Sequence, residues 1–276
     1  MRQKRRRKSL FLRRALLLAA AAVLIGVSVR AAPLAGRWAV SAVFTSVEES
    51  KTLSRDLAAL AQEEPRAQAI LENRSAYPDD LLSMLCRNPE MLDFVLGYPE
   101  HRGETLGDSV GETAKGTFPL LLQYDPRWGY AAYADNIVAV NGCGPTCLSM
   151  AIAGLTGEDV TPAAVADYAA REGYYAAGQG TSWSLMAEGC AAFGLAGKEL
   201  PLSQGVMEKA LREGAVIVCS MGPGDFTTGG HFILITGAAD GGFSVNDPNS
   251  SERSARLWEY DTLAPQIKNL WALRAA

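Results

Sequence analysis

The 276-residue chain holds only two histidines, His101 and His231. Any proton transfer that needs an imidazole therefore rests on one of two positions, and His101 lies in a polar connector, Tyr98-Pro-Glu-His-Arg-Gly103, with nothing reactive beside it. The five cysteines, Cys86, Cys143, Cys147, Cys190 and Cys219, form an odd set whose spacing gives no compact disulfide framework. There is no Cys-x-x-Cys and no histidine-rich pair to suggest zinc, so no metal is expected. Neither an internal repeat nor a low-complexity tract is present. Residues 1–30 contain nine Lys/Arg and no acid, which leaves 17 basic against 30 acidic residues in the other 246. A body so acidic excludes a nucleic-acid binder.

The basic residues of the amino terminus, Met1-Arg-Gln-Lys-Arg-Arg-Arg-Lys8 with Arg13-Arg14, precede the uncharged apolar stretch Ala15–Val29, which Arg30 closes. Residues 1–36 read as a targeting segment outside the fold. Val29-Arg30-Ala31 would serve as a small-residue cleavage site, while about 20 apolar residues make a comfortable membrane span and this run is somewhat short. The expectation is an uncleaved signal anchor in the cell membrane, single-pass with the body outside, or a secreted protein if the segment is cleaved. In either case the positive block fixes the amino terminus in the cytoplasm.

Residues 37–102 read as a small helical module. Ser46 to Gln62 has apolar positions at Leu53, Leu57, Leu60 and Ala61; Tyr77–Cys86 has a proline in its first turn; and Asn88 caps a helix expected to stop at Gly97. Residues 103–116 form a linker rich in Gly, Thr, Glu and Asp, and 117–276 form the main domain. There the text begins with a short apolar strand, Phe118–Gln123. Helices follow at Cys143–Leu155, Pro162–Glu172, Ser184–Phe193 and from the cap Ser203 to Glu213. Strands are expected at Ala215–Ser220, His231–Thr236, Gly242–Asn246, Leu257–Tyr260 and Leu270–Leu273. Helices first and strands after give an α+β domain.

Chemistry concentrates at two places. Cys143, in Asn-Gly-Cys-Gly-Pro-Thr-Cys, opens an apolar helix, and His231 follows two glycines at the mouth of an apolar strand. A thiol at a helix amino terminus favours its thiolate, and an imidazole within reach completes an activated nucleophile. The reading is a cysteine hydrolase with His231 as base. The bland alternatives are a buried thiol capping a core helix and a hydrogen-bonded structural histidine. Gly142 and Gly144 would let a substrate backbone approach, and Pro145 suits the first helical turn. Cys147 is a rival nucleophile, but it sits a turn deeper where backbone donors are already satisfied, and it reads as core.

Five motifs in order, Gln123-Tyr-Asp-Pro-Arg-Trp128, Asn141-Gly-Cys-Gly-Pro-Thr146, Gly180-Thr-Ser-Trp183, Gly230-His-Phe-Ile-Leu234 and Val245-Asn-Asp-Pro-Asn249, resemble the C39-like peptidase family of the papain-like superfamily. The resemblance covers roughly residues 117 to 275. It implies a papain-like fold with amino-terminal helices packed on an antiparallel sheet, and the 37–102 module is similar to an extension carried by bacterial members. It also implies Cys143 as nucleophile, His231 as base and acid, and Asp247 as the residue that orients the imidazole, with Asn246 or Asn249 as substitutes. Gln123 would be the oxyanion donor, although it precedes Cys143 by twenty positions where processing members have only a few. Asp125, Arg127, Trp128 and Trp183 resemble cleft or scaffold residues. No cofactor is implied, and the partner is a peptide or peptide-like substrate.

The functions in competition are a peptidase for a peptide or isopeptide bond, an amidohydrolase acting on cell-wall peptide or a small amide, and a non-catalytic surface binding domain. A leader-peptide processor is disfavoured because no transporter or ATPase segment accompanies the domain. Specificity would lie in loops such as Tyr174–Thr181.

Overall fold

The structure, a computed structural model, describes residues 50–276. Residues 57–276 form one compact unit. Residues 50–63 are helical. The apolar stretch 15–29 and the first four residues of the helix expected over Ser46 to Gln62 lie outside the described residues, and the rest of that helix is present; among the described residues, no helix is long and apolar enough to cross a membrane.

The compact unit is α+β. After the helix that ends at residue 63 and a short helix, Gln68–Glu72, come α1 (Asp79–Arg87) and α2 (Leu92–His101). Acids at Asp79 and Asp80 meet the positive end of α1, and Asn88 accepts the N–H of Glu90 at the start of the next turn. Helix α2 does not stop at Gly97 but runs on through Pro99 to His101. Gly97 is there for packing: the Tyr130 hydroxyl, which donates to the Phe94 carbonyl at 2.8 Å, occupies the place a Cβ would take.

Three further helices follow, α3 (Cys143–Thr156), α4 (Pro162–Arg171) and α5 (Gln204–Arg212). The six strands are β1 (Leu195–Glu199), β2 (Val216–Met221), β3 (His231–Ala239), β4 (Gly242–Asn246), β5 (Leu257–Trp258) and β6 (Ile267–Ala275). They form one antiparallel sheet in the order β1-β6-β2-β3-β4-β5. Every residue of β2 is buried because both faces of the sheet are covered. Val216, Val218, Phe232 and Leu234 pack with Leu148, Met150 and Ile152 of α3. Ile217, Cys219, Ile233 and Ile235 pack on the opposite face with Met207 and Ala210 of α5. Strand alternation therefore assigns each side chain to one of two cores. Helix α3 is buried almost all round, as its apolar sequence requires, and Gly157 ends it in a left-handed conformation (φ 78°).

Two expectations are corrected, and one strand is added. Phe118–Gln123 is no strand; its polar backbone groups are met by side chains and loops, with Leu121 N donating to Met150 Sδ, Gln123 N to Pro248 O, and Asn246 Nδ2 to the carbonyls of Phe118 and Pro119. The helix at Ser184–Phe193 breaks at Glu188 into Ser184–Ala187 and a 3-10 turn, Gly189–Phe193, where Gly189 lies against Tyr174. Strand β1 joins the sheet at its edge, and its mostly exposed Leu-Ala-Gly-Lys-Glu sequence carries no alternating apolar signal.

Candidate active site

Helix α3 begins at Cys143, and β3 begins at His231, which pairs across the sheet with Met221 at the end of β2. Asp247 follows the last residue of β4. The sheet therefore delivers the imidazole and the carboxylate to neighbouring strand ends, and the helix brings the thiol to the same place.

His231 Nε2 lies 2.7 Å from Asp247 Oδ1, and the Cys143 thiol, on the same cleft, is near enough to act on the ring electrostatically. With Nε2 taken by the carboxylate, Nδ1 is the nitrogen left for sulfur. Burial by itself pulls the imidazole pKa down. The charge and hydrogen bond of Asp247, followed by Cys143, outweigh it and raise the pKa to about 10. Asp247 is completely buried. Its burial favours the neutral acid, but His231 and then Arg253 prevail and hold the carboxyl below its ordinary range. Arg253 Nε donates to Oδ2 at 2.5 Å, and the Asn249 N–H donates to Oδ1 at 2.8 Å. The Asp247 N–H is itself held by Ser254 Oγ at 2.9 Å.

Thiol, imidazole and carboxylate thus come together, and Asn246 and Asn249 take other work. Asn246 braces the 118–119 backbone, and Asn249 offers only its main chain to Asp247. Cys147 is wholly buried in the core, as expected, and burial pushes its thiol well above the usual range. His101 bonds Glu104 Oε2 at 3.1 Å on the surface. Gln123 is buried; its Nε2 donates to the Ala139 carbonyl at 2.6 Å, while its Oε1 has no partner. It does not line the cleft. Asp125 clasps Arg127, whose guanidinium lies over the fully buried Trp128, so these three belong to the scaffold. Arg253 is a residue that sequence reasoning misses, since nothing in Ser250-Ser-Glu-Arg253 signals that its guanidinium turns inward.

The site opens onto a cleft of about 580 Å³ lined by Cys143 and His231. One wall is a short hairpin pairing Tyr175–Ala176 with Gly180–Thr181. Thr181 is anchored by the Tyr133 hydroxyl at 2.9 Å and lies so close to Gly144 that a Cβ there would sit 2.8 Å from Thr181 Cγ2. Gly142 is likewise pressed on the Val138 carbonyl. The glycines flanking the thiol are thus required by the chain's own packing, rather than only by an approaching substrate. Trp183, 45% exposed, forms another wall, with Nε1 donating to Ser220 Oγ at 3.1 Å and its ring edge-on to buried Trp271. Among the described residues no cluster of His, Cys, Asp or Glu could hold a metal ion.

The sequence profile of the Peptidase_C39 like family matches residues 116–275, more than half of the chain, and the chain belongs to that family. Membership places it among the peptidase hydrolases in general. No curated protein matches the chain.

Proposed function

We propose that the chain is an extracytoplasmic cysteine peptidase that hydrolyses a peptide or isopeptide bond through Cys143, His231 and Asp247. One observation carries the reading: a buried carboxylate holds one nitrogen of an imidazole that shares its cleft with the thiol at the head of α3. A nucleophile-bearing helix set against an antiparallel sheet also fits a papain-like fold.

The chemistry is acyl transfer. The Cys143 thiolate attacks the carbonyl carbon, and the electron pair of the C=O bond moves to oxygen. As the tetrahedral intermediate collapses to a thioester, the C–N bond breaks and imidazolium His231 gives its proton to the leaving amine. Water then attacks the thioester while His231 takes its proton, and the departing thiolate restores the starting pair. Asp247 stays ionised and fixes the imidazole's orientation and tautomer. The backbone N–H of Cys143 is the donor we assign to the oxyanion; Gln123, buried behind the cleft with one N–H held by Ala139, is the candidate for a second. The extracytoplasmic placement follows from the basic block and apolar stretch at residues 1–30, and the same segment would attach the enzyme to the membrane.

Labelling with iodoacetamide, read peptide by peptide, tests the assignment. Wild type and Cys147→Ala should label at Cys143, and Cys143→Ala should lose both that label and peptide hydrolysis. Hydrolysis undiminished in Cys143→Ala would overturn the reading.

A further inference from the structure

The loop that carries Asp247 is gripped from outside the family-matched residues. Glu90, in the turn between α1 and α2, accepts Ser250 Oγ at 3.0 Å on one carboxylate oxygen. The other oxygen receives the Ser251 N–H at 3.1 Å, the Ser251 hydroxyl and, at 3.3 Å, the Tyr124 hydroxyl. Asn88 Nδ2 donates to the Asn249 carbonyl at 2.5 Å, while its own Oδ1 accepts the Glu90 N–H. Burial would favour protonated Glu90, but the bonds from Ser251 and Ser250 prevail and hold it ionised.

These contacts lead to the reacting groups. Ser250 Oγ, held by Glu90, accepts the Arg253 N–H at 3.2 Å and so caps the single helical turn Ser251–Ser254. That turn supplies the Arg253 guanidinium to Asp247 Oδ2 and the Ser254 hydroxyl to the Asp247 N–H. The two carboxylate oxygens of Asp247 are thus set by groups on a loop whose far side is fastened to residues 88 and 90.

We propose that Glu90, assisted by Asn88, is a positioning residue for the catalytic carboxylate, so that the helices preceding the peptidase domain brace the Asp247 loop and are required for full activity. The proposal rests on the Cys143–His231–Asp247 reading. Glu90 lies outside the cleft lining and touches no reacting atom; it acts through Ser250, Arg253 and Asp247. The groups acting on His231 are Asp247 and Cys143, and those near Asp247 are His231, Arg253, Tyr124 and Cys147.

The test uses the full chain with Glu90→Gln, which keeps size, and Glu90→Ala. Because the sequence has two histidines, ring NMR titration resolves His231 from His101 without any substrate. In Glu90→Ala the His231 midpoint should fall by about one pH unit as the carboxylate drifts, with His101 unmoved. Iodoacetamide alkylation of Cys143 at neutral pH should slow about tenfold, since small misplacements of reacting groups carry costs of that order. Glu90→Gln, retaining one acceptor for a serine, should fall between wild type and Glu90→Ala. A wild-type His231 midpoint and wild-type alkylation in a folded Glu90→Gln or Glu90→Ala would overturn the proposal. Retained hydrolysis in Cys143→Ala would instead remove the triad reading beneath it, so the two failures are separable.

Discussion

Arg253 Nε lies 2.5 Å from Asp247 Oδ2, on the carboxylate oxygen that His231 leaves free. One buried anion is thereby shared between two cationic partners, and the guanidinium competes with the imidazole for its charge. Arg253→Met removes the competitor while keeping much of the side-chain volume. Its expected signature is a His231 titration midpoint above that of wild type. Unfolding should also become easier by about 3 kcal/mol, the order associated with breaking a buried pair, as read by denaturant titration.

Asp247→Asn should move the same midpoint in the opposite direction, because burial then depresses the imidazole with no anion to oppose it. The stability effect has a defined pH window. His231 has a folded pKa raised to about 10 against an ordinary value of about 6.5. Its contribution is therefore complete below about 6.5 and is lost as pH rises through about 10. Asp247 is depressed, so its share is present above the ordinary carboxylate value of about 4 and is lost as pH falls below it. Urea unfolding of wild type and Asp247→Asn should differ most between about pH 4.5 and 6.5. A gap that widened toward pH 10 would contradict the assignment.

Gln123→Ala separates two roles for one amide. If the spare N–H serves the oxyanion, kcat should fall by about 10²-fold with KM little changed. If the amide only ties Ala139 to the loop before α3, stability should drop by about 1 kcal/mol and kcat should stay near wild type. Steady-state kinetics alongside thermal unfolding distinguish the outcomes.

What the sequence made legible was the chemistry with a local context. Cys143 announces itself through glycine, proline and an apolar helix, and His231 through its scarcity and the strand it opens. The α3 boundaries and five of the six sheet strands could be read from periodicity and punctuation, because burial on two faces writes a strong apolar pattern into β2 and β3. Edge strand β1, mostly exposed, has no such pattern. Phe118–Gln123 looked like a strand because its apolar residues serve the core, yet its backbone partners are a methionine sulfur, an asparagine side chain and a proline carbonyl. Glu90 and Arg253 were illegible for a different reason. Each is a charged residue in a polar stretch, and Glu90 meets Ser251 across 161 residues of chain, a pairing that no local rule can foresee.

The wall formed by Trp183 gives the molecule an optical readout of its own. Among the described tryptophans, Trp128, Trp258 and Trp271 are buried, whereas Trp183 stands half in solvent at the cleft. Any occupant that displaces water from this indole changes its emission, so filling of the cleft can be followed by fluorescence without a dye and before the occupant's identity is known.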